Sequence, residues 1–238
     1  MWVVKLSGNT SDLSTLAQCS DGSTTRILQE EQNYSLRSDE FLVGDDAETV
    51  FMKASGIVEV LKGATILLLG AVCSIRVASV EFLHEDGKRD ITLFAETIKL
   101  RLSASAVTMK VTRNDGKNEA WHPVIPVDRL VHLASQNKAV ALVFRLLADK
   151  PLDWINLYRI LEIVESDVGG LCVIDKKKWA SEKTIKRFKH TANSPEASGL
   201  EARHGSQTTQ PPKNPMKISD AQSLVKSIVQ AWLLAGSQ

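Results

Sequence analysis

The sequence predicts an α+β fold: an N-terminal mixed antiparallel α+β domain over residues 1–120, then a C-terminal all-α bundle of about four helices over 125–238. Three observations predict it. Short apolar-alternating runs fill the first half, separated by turn residues such as Asp86-Gly87, and few of them alternate with long helices. The composition shifts near 118–126, where His122-Pro123-Val124-Ile125-Pro126 is stiff because each proline restricts the residue before it. Beyond that point apolar residues recur at helical spacing to the end of the chain.

The elements follow in order. Trp2 to Leu6 reads as a strand closed by Gly8, and Asn9 or Thr10 caps a short helix carrying Leu13 and Leu16. Thr25 to Leu36 holds two extended runs around Glu30-Glu31-Gln32-Asn33, a hairpin pattern. Asp45-Asp46 opens a helix whose apolar positions run from Val50 to Leu61, with Gly63 as the expected stop. Val77–Leu83 and Asp90–Phe94 flank a turn at Glu85-Asp86-Gly87-Lys88, and a further strand pair is expected at Ile98–Leu102 and Ala106–Thr112 with a turn at Asn114-Asp115-Gly116. Pro126 suits the first turn of a helix running toward Leu147. Pro151-Leu152-Asp153 opens another, with Trp154, Leu157, Tyr158, Leu161 and Val164 on one stripe, ended by Gly169-Gly170. Ser181 caps a third, and Ser219 with Gln222 is expected to form a capping box before the last, whose stripe includes Leu224, Val225, Ile228, Val229 and Trp232.

A composition of 43% hydrophobic and 24% charged residues is that of an ordinary globular chain and excludes wholesale disorder. The longest apolar stretch, Ala64 to Val72, is too short to span a bilayer, so no membrane partner is expected. The start, MWVVKLSGNTSDL, lacks the charged-then-apolar order of a secretory signal, which makes a cytoplasmic protein the expectation. Cys19, Cys73 and Cys172 are widely spaced, with no metal-ligand pattern; Cys73 and Cys172 sit in apolar runs and are expected in the core. Neither a metal nor a cofactor is called for, and no glycine pattern that cradles phosphate occurs.

The net charge of +1 conceals an asymmetry. Residues 1–170 carry 18 basic and 23 acidic side chains, a balance of −5, whereas 171–238 carry 11 and 5, a balance of +6. Such a tail either meets an anionic partner or is a solvated face balancing the acidic part. Within it the long segment between the last two helices gathers Arg187, His190, Asn193, Arg203 and His204, and loops of this length tend to be functional or disordered. Histidine at 190 or 204 is a candidate acid or base, with Arg187, Asn193 and Arg203 as ligand-binding groups for a phosphodiester or nucleotide. The alternative is structural: Arg187 and Arg203 pair with carboxylates such as Glu162 or Glu201 and order the loop. The Lys176-Lys177-Lys178 run beside Trp179 is a second candidate, as a nucleic-acid contact or as a solvated turn with Trp179 as a hydrophobic staple. Trp154, Tyr158 and Trp232 read as core, and His84 as exposed and structural.

The runs WINLYRILEIVESDVGG, WASEKTIKRFKHTAN, EARHG and PPKNPMKISDAQSLVKSIVQAWL resemble a pattern in uncharacterised bacterial proteins whose C-terminal domains are similar to HEPN domains, helical bundles common in RNA-cleaving toxins and phage-defence systems. The resemblance covers residues 125–238 and implies a dimeric Arg/His site acting on RNA. In active members an arginine is followed, after four to six residues, by a histidine. Here two residues separate Arg187 from His190, and Arg203 abuts His204. The expected function is therefore a non-enzymatic bacterial interaction protein acting through protein–protein contacts, as a homodimer or with a protein partner, with Trp232 as an interface anchor; the alternative is an RNA- or nucleotide-binding protein, up to a ribonuclease.

Overall fold

The computed structural model describes residues 1–20, 24–69, 73–94, 127–203 and 210–236, which group into two units, Met1–Gln136 and Asn137–Gln238. In the first, alternation of apolar and polar residues produces strands β1 (Trp2–Ser7), β2 (Thr25–Glu30), β3 (Asn33–Ser38), β4 (Arg76–Leu83) and β5 (Arg89–Leu93). They form one antiparallel sheet in the order β2-β3-β1-β4-β5. The hairpins expected at 25–36 and 77–94 are both present. The β2–β3 turn places Glu31 at φ 54, and the β4–β5 turn uses Gly87 at φ 84 with the Lys88 N–H bonded to Asp86 Oδ1. Beside that turn His84 Nε2 lies 2.6 Å from Asp90 Oδ2.

One face of the sheet is core. Val4 stands opposite Leu36 on one side and Val80 on the other, and Ile27 opposite Leu36; Val4, Leu36 and Val80 are wholly buried. Helix α1 (Thr10–Gln18) is capped by Asn9, whose Oδ1 accepts from the N–H groups of Ser11 and Asp12. Just before it, Gly8 lies so close to the chain at Ser74 that a Cβ would stand 2.3 Å from the Ser74 carbonyl oxygen, a contact only glycine avoids. Helix α2 (Ala47–Leu69) buries Val50, Ala54, Ile57, Val58 and Leu61 as the periodicity predicts. Gly63 does not stop it. A glycine inside a helix costs only about 1 kcal/mol, and buried Ala64, Ile66 and Leu67 offset that, while Thr65 Oγ1 bonds back to the Leu61 carbonyl.

The single helix expected from Pro126 to Leu147 is two, α3 (Val127–Gln136) and α4 (Lys138–Asp149). Asn137 breaks the run because its Oδ1 takes the N–H groups of Ala139 and Val140, the cap geometry that a short polar side chain prefers to the helix interior. Helix α3 packs on α2 and β2, so the contact boundary falls after Gln136, one helix past the composition shift at 118–126. That shift and the strand pair expected at 98–112 lie outside the described residues.

The second unit is all-helical: α4, α5 (Trp154–Val168), α6 (Leu171–Lys176), α7 (Glu182–Ala192), α8 (Pro195–Ser198), a 3-10 turn at Gly199–Glu201, and α9 (Ile218–Gly236). Helix α5 is the hub, packing on α4, α6, α7 and α9. Asp153 caps its start through the Asn156 N–H, and Gly169 at φ 89 ends it in a left-handed turn. The α+β class is as the sequence reads. Two further details differ in this unit. Cys172 is exposed on α6, because the apolar run there is amphipathic and only Ile174 turns inward. Helix α9 begins at Ile218, ahead of Ser219, so no capping box forms; Gln222 instead donates to the Leu152 carbonyl. Trp232 is buried within the unit, as its place on the apolar stripe reads, with its Nε1 on Asp167 Oδ2 at 2.8 Å, and this removes the alternative of an exposed anchor. Among the described residues no helix is long and apolar enough to cross a membrane.

Candidate functional site

The candidate residues stand on a platform made where α5 meets α7. Phe188 of α7 is wholly buried and lies 6.1 Å, ring centroid to centroid, from both Trp154 and Tyr158 of α5. Tyr158, Glu162 and Glu165 share one stripe of α5 at spacings of four and three residues. Lys189 comes from α7 to Glu165 at 2.5 Å, with its ammonium 5.7 Å above the Tyr158 ring. Arg203 reaches Glu162 at 3.3 Å and lays its guanidinium 4.3 Å from the centre of the same ring. One aromatic ring thus seats two cations, each neutralised by a carboxylate of the helix that carries the ring.

Arg187 and His190, three residues apart on α7, face the other way along the chain, to the segment 210–216. Arg187 donates from Nε to the Asn214 carbonyl at 2.8 Å and from Nη2 to the Pro215 carbonyl at 3.2 Å. His190 donates from Nε2 to the Gln210 carbonyl at 2.8 Å; a carbonyl only accepts, so the proton sits on that nitrogen. Thr191, next to His190, is wholly buried and takes the Met216 N–H on its hydroxyl at 3.1 Å. Upstream, the Arg203 N–H bonds to the Ala192 carbonyl and so ties the exit of the 3-10 turn to the end of α7.

Asn193 ends α7 with its backbone N–H on Lys189, and its side-chain oxygen is buried without a partner among the described residues. His204 lies outside the described residues. The structure brings Arg187 and His190 together on one loop and sends Arg203 to α5. Of the pairings expected under the structural alternative, Arg203 with Glu162 is present, whereas Arg187 holds main-chain carbonyls in place of a carboxylate. As placed, the Arg187 guanidinium and His190 Nε2 are donors engaged inside the chain, and His190 has to leave the Gln210 carbonyl before that nitrogen serves as acid or base.

Lys176, Lys177 and Lys178 are exposed, with Lys178 at φ 59 turning the chain out of α6. Trp179 is half-buried, donates its backbone N–H to the Ile174 carbonyl and carries the Lys177 ammonium 5.3 Å from its ring. Among the described residues no group of three histidine, cysteine or acidic side chains is placed to hold a metal ion. Sequence reasoning missed Tyr158 as the seat of two cations, and Thr191 and Lys189 altogether. The i, i+4, i+7 spacing of Tyr158, Glu162 and Glu165 was the available signal for the first. No protein-family model, curated protein or solved structure matches the chain.

Proposed function

We propose that this chain is a non-enzymatic interaction protein of bacterial type, whose HEPN-like helical unit works through protein–protein contacts. The observation that carries this reading is where the candidate charges go. Arg187 and His190 hold the 210–215 backbone against α7, and Arg203 is neutralised by Glu162 over Tyr158. Cations engaged in this way fix the path of a loop and stand as donors to their own chain, the arrangement of a rigid binding surface rather than of a phosphate-handling centre.

The test is light scattering of the full chain with and without a total-RNA pool, followed by a gel of that RNA. The expected result is intact, unbound RNA and a mass that reports a homodimer or a monomer awaiting a different partner. Degraded RNA, with the activity lost in His190→Ala or His204→Ala, overturns the reading. A second reading, binding of RNA or a nucleotide, is favoured by one observation: three consecutive exposed lysines beside a half-buried tryptophan. It predicts RNA binding that weakens steeply with salt, because neutralised phosphates release counterions, and that falls in Lys177→Ala and Lys178→Ala while Arg187→Ala leaves it unchanged.

A further inference from the structure

We propose that the β2–β3 hairpin of the first unit carries a pocket for a small organic oxyanion, a carboxylate or phosphate monoester on an apolar body. Residues facing each other across an antiparallel pair stand about 5 Å apart, and like charges in that position destabilise the pair. Arg26 and Arg37 occupy such a position, directly opposite in register. Nothing in the hairpin offsets them well. The Arg26 side chain makes no ion pair or hydrogen bond among the described residues. Arg37 has one distant carboxylate, Glu30 at 3.9 Å, which Lys5 also approaches at 3.5 Å. The Nε of Arg37 is buried without an acceptor, although a guanidinium N–H removed from water requires one.

The two arginines open onto one cavity of about 380 Å³, within the range of small-ligand sites. Thr24 and Ser38 add hydroxyls to its wall, and Trp2 and Phe41 add aromatic surface. The indole is held from behind: its Nε1 donates to the Leu42 carbonyl at 2.9 Å and its ring meets Phe82 edge-on at 4.8 Å. Asp39 is the one acidic side chain on the wall and pairs with neither arginine, which leaves the lining with an excess of positive charge. The lining therefore combines two arginines with aromatic residues and the exposed aliphatic side chains of Leu42 and Val43. An oxyanion on an apolar body places a negative charge beside the two guanidinium groups and offsets their mutual repulsion. This inference is independent of the reading of the helical unit.

Calorimetric titration of the full chain with phenyl phosphate and with phenylacetate tests it, with benzyl alcohol and inorganic phosphate as controls. At least one of the two aromatic acids is expected to bind, and benzyl alcohol to give no heat. Affinity is expected to fall about tenfold or more in Arg26→Gln and in Arg37→Gln, as loss of a charge-assisted contact implies. Tighter phenyl phosphate than phenylacetate assigns a phosphate monoester; the reverse order assigns a carboxylate. Neither acid binding at millimolar concentration overturns the proposal, as does an affinity that both variants leave unchanged. Arg26→Glu, which puts opposite charges across the pair, is expected to raise the melting temperature and abolish binding. A lowered melting temperature in that variant refutes the like-charge strain on which the pocket rests.

Discussion

Replacing Thr191 with valine changes almost nothing in volume and removes one oxygen. That oxygen accepts the buried Met216 N–H at 3.1 Å and donates to the Arg187 carbonyl at 2.9 Å, and Thr191 itself has no exposed surface. Valine leaves no cavity, so the cost is almost wholly that of the orphaned donor, about 1–3 kcal/mol for a buried polar group left without a partner. The lost bond to Arg187 adds roughly 0.5 kcal/mol, since helical carbonyls retain a second lone pair and a main-chain donor, and the extra methyl group returns about as much. The expected loss is about 2 kcal/mol. For a unit the size of Asn137–Gln238 that lowers the melting temperature by roughly 8–16 °C. Urea denaturation followed by tryptophan fluorescence reads the energy, and trypsin cleavage after Lys213, within the held segment, and after Lys217, just beyond it, reads the local loosening. Thr191→Ser keeps the oxygen and is expected to retain most of the stability. If Thr191→Val melts like the parent and is cut no faster at those lysines, the Met216 N–H finds another acceptor and Thr191 does not hold the segment.

Arg187→Ala is expected to cost less, about 1 kcal/mol, because its carbonyl partners lie at the surface and water replaces the guanidinium; the same urea titration measures it, and a cost equal to that of Thr191→Val would refute the distinction. The cysteines should separate by reactivity. Exposed Cys172 is expected to react with a thiol-specific disulfide reagent in the folded protein, whereas Cys73, whose thiol burial pushes up to about 12, should wait for unfolding. Because that pKa is raised above the ordinary 9.0, the stability conferred by the neutral Cys73 thiol is complete below pH 9.0 and declines as pH rises toward about 12; Cys73→Ala should flatten this alkaline decline in thermal melts. Asp45 behaves in the opposite sense. Its hydrogen bond from the Lys53 ammonium at 2.6 Å holds its carboxyl below 3.8, so its contribution is present above pH 3.8 and is lost as pH falls below it. Asp45→Asn should make acid unfolding less steep, and an unchanged acid limb in circular dichroism would refute the assignment.

Much of the fold was legible because it is written in local chemistry. Asp86-Gly87 specifies a hairpin through the backbone conformations it permits, Asn9, Asp153 and Ser181 cap helices through oxygens that reach the next turn, and Gly169 ends α5 by adopting a conformation other residues resist. Where local chemistry was outweighed by packing, the sequence misled: Gly63 sits inside α2 because the residues after it are buried, and the Ser219/Gln222 pattern is overridden when Gln222 finds the Leu152 carbonyl. The candidate cluster was located and partly understood: Glu162 was among the carboxylates read as partners and does pair with Arg203, whereas the contacts of Arg187 and His190 were not foreseen. Arg187, His190 and Arg203 are close in sequence, yet the partner of Arg203 lies 41 residues upstream on α5. The partners of Arg187 and His190 are backbone carbonyls, which every residue carries and which leave no mark in a sequence.

A guanidinium and an imidazole that grip carbonyl oxygens are indifferent to which side chains those peptide units bear. Gln210, Lys213, Asn214 and Pro215 all turn outward, and the contacts that fix the segment do not use their side chains. The path of the chain is held while its outward lettering is free to change. The segment therefore provides a constant frame on which recognition can be rewritten residue by residue without renegotiating the fold beneath it.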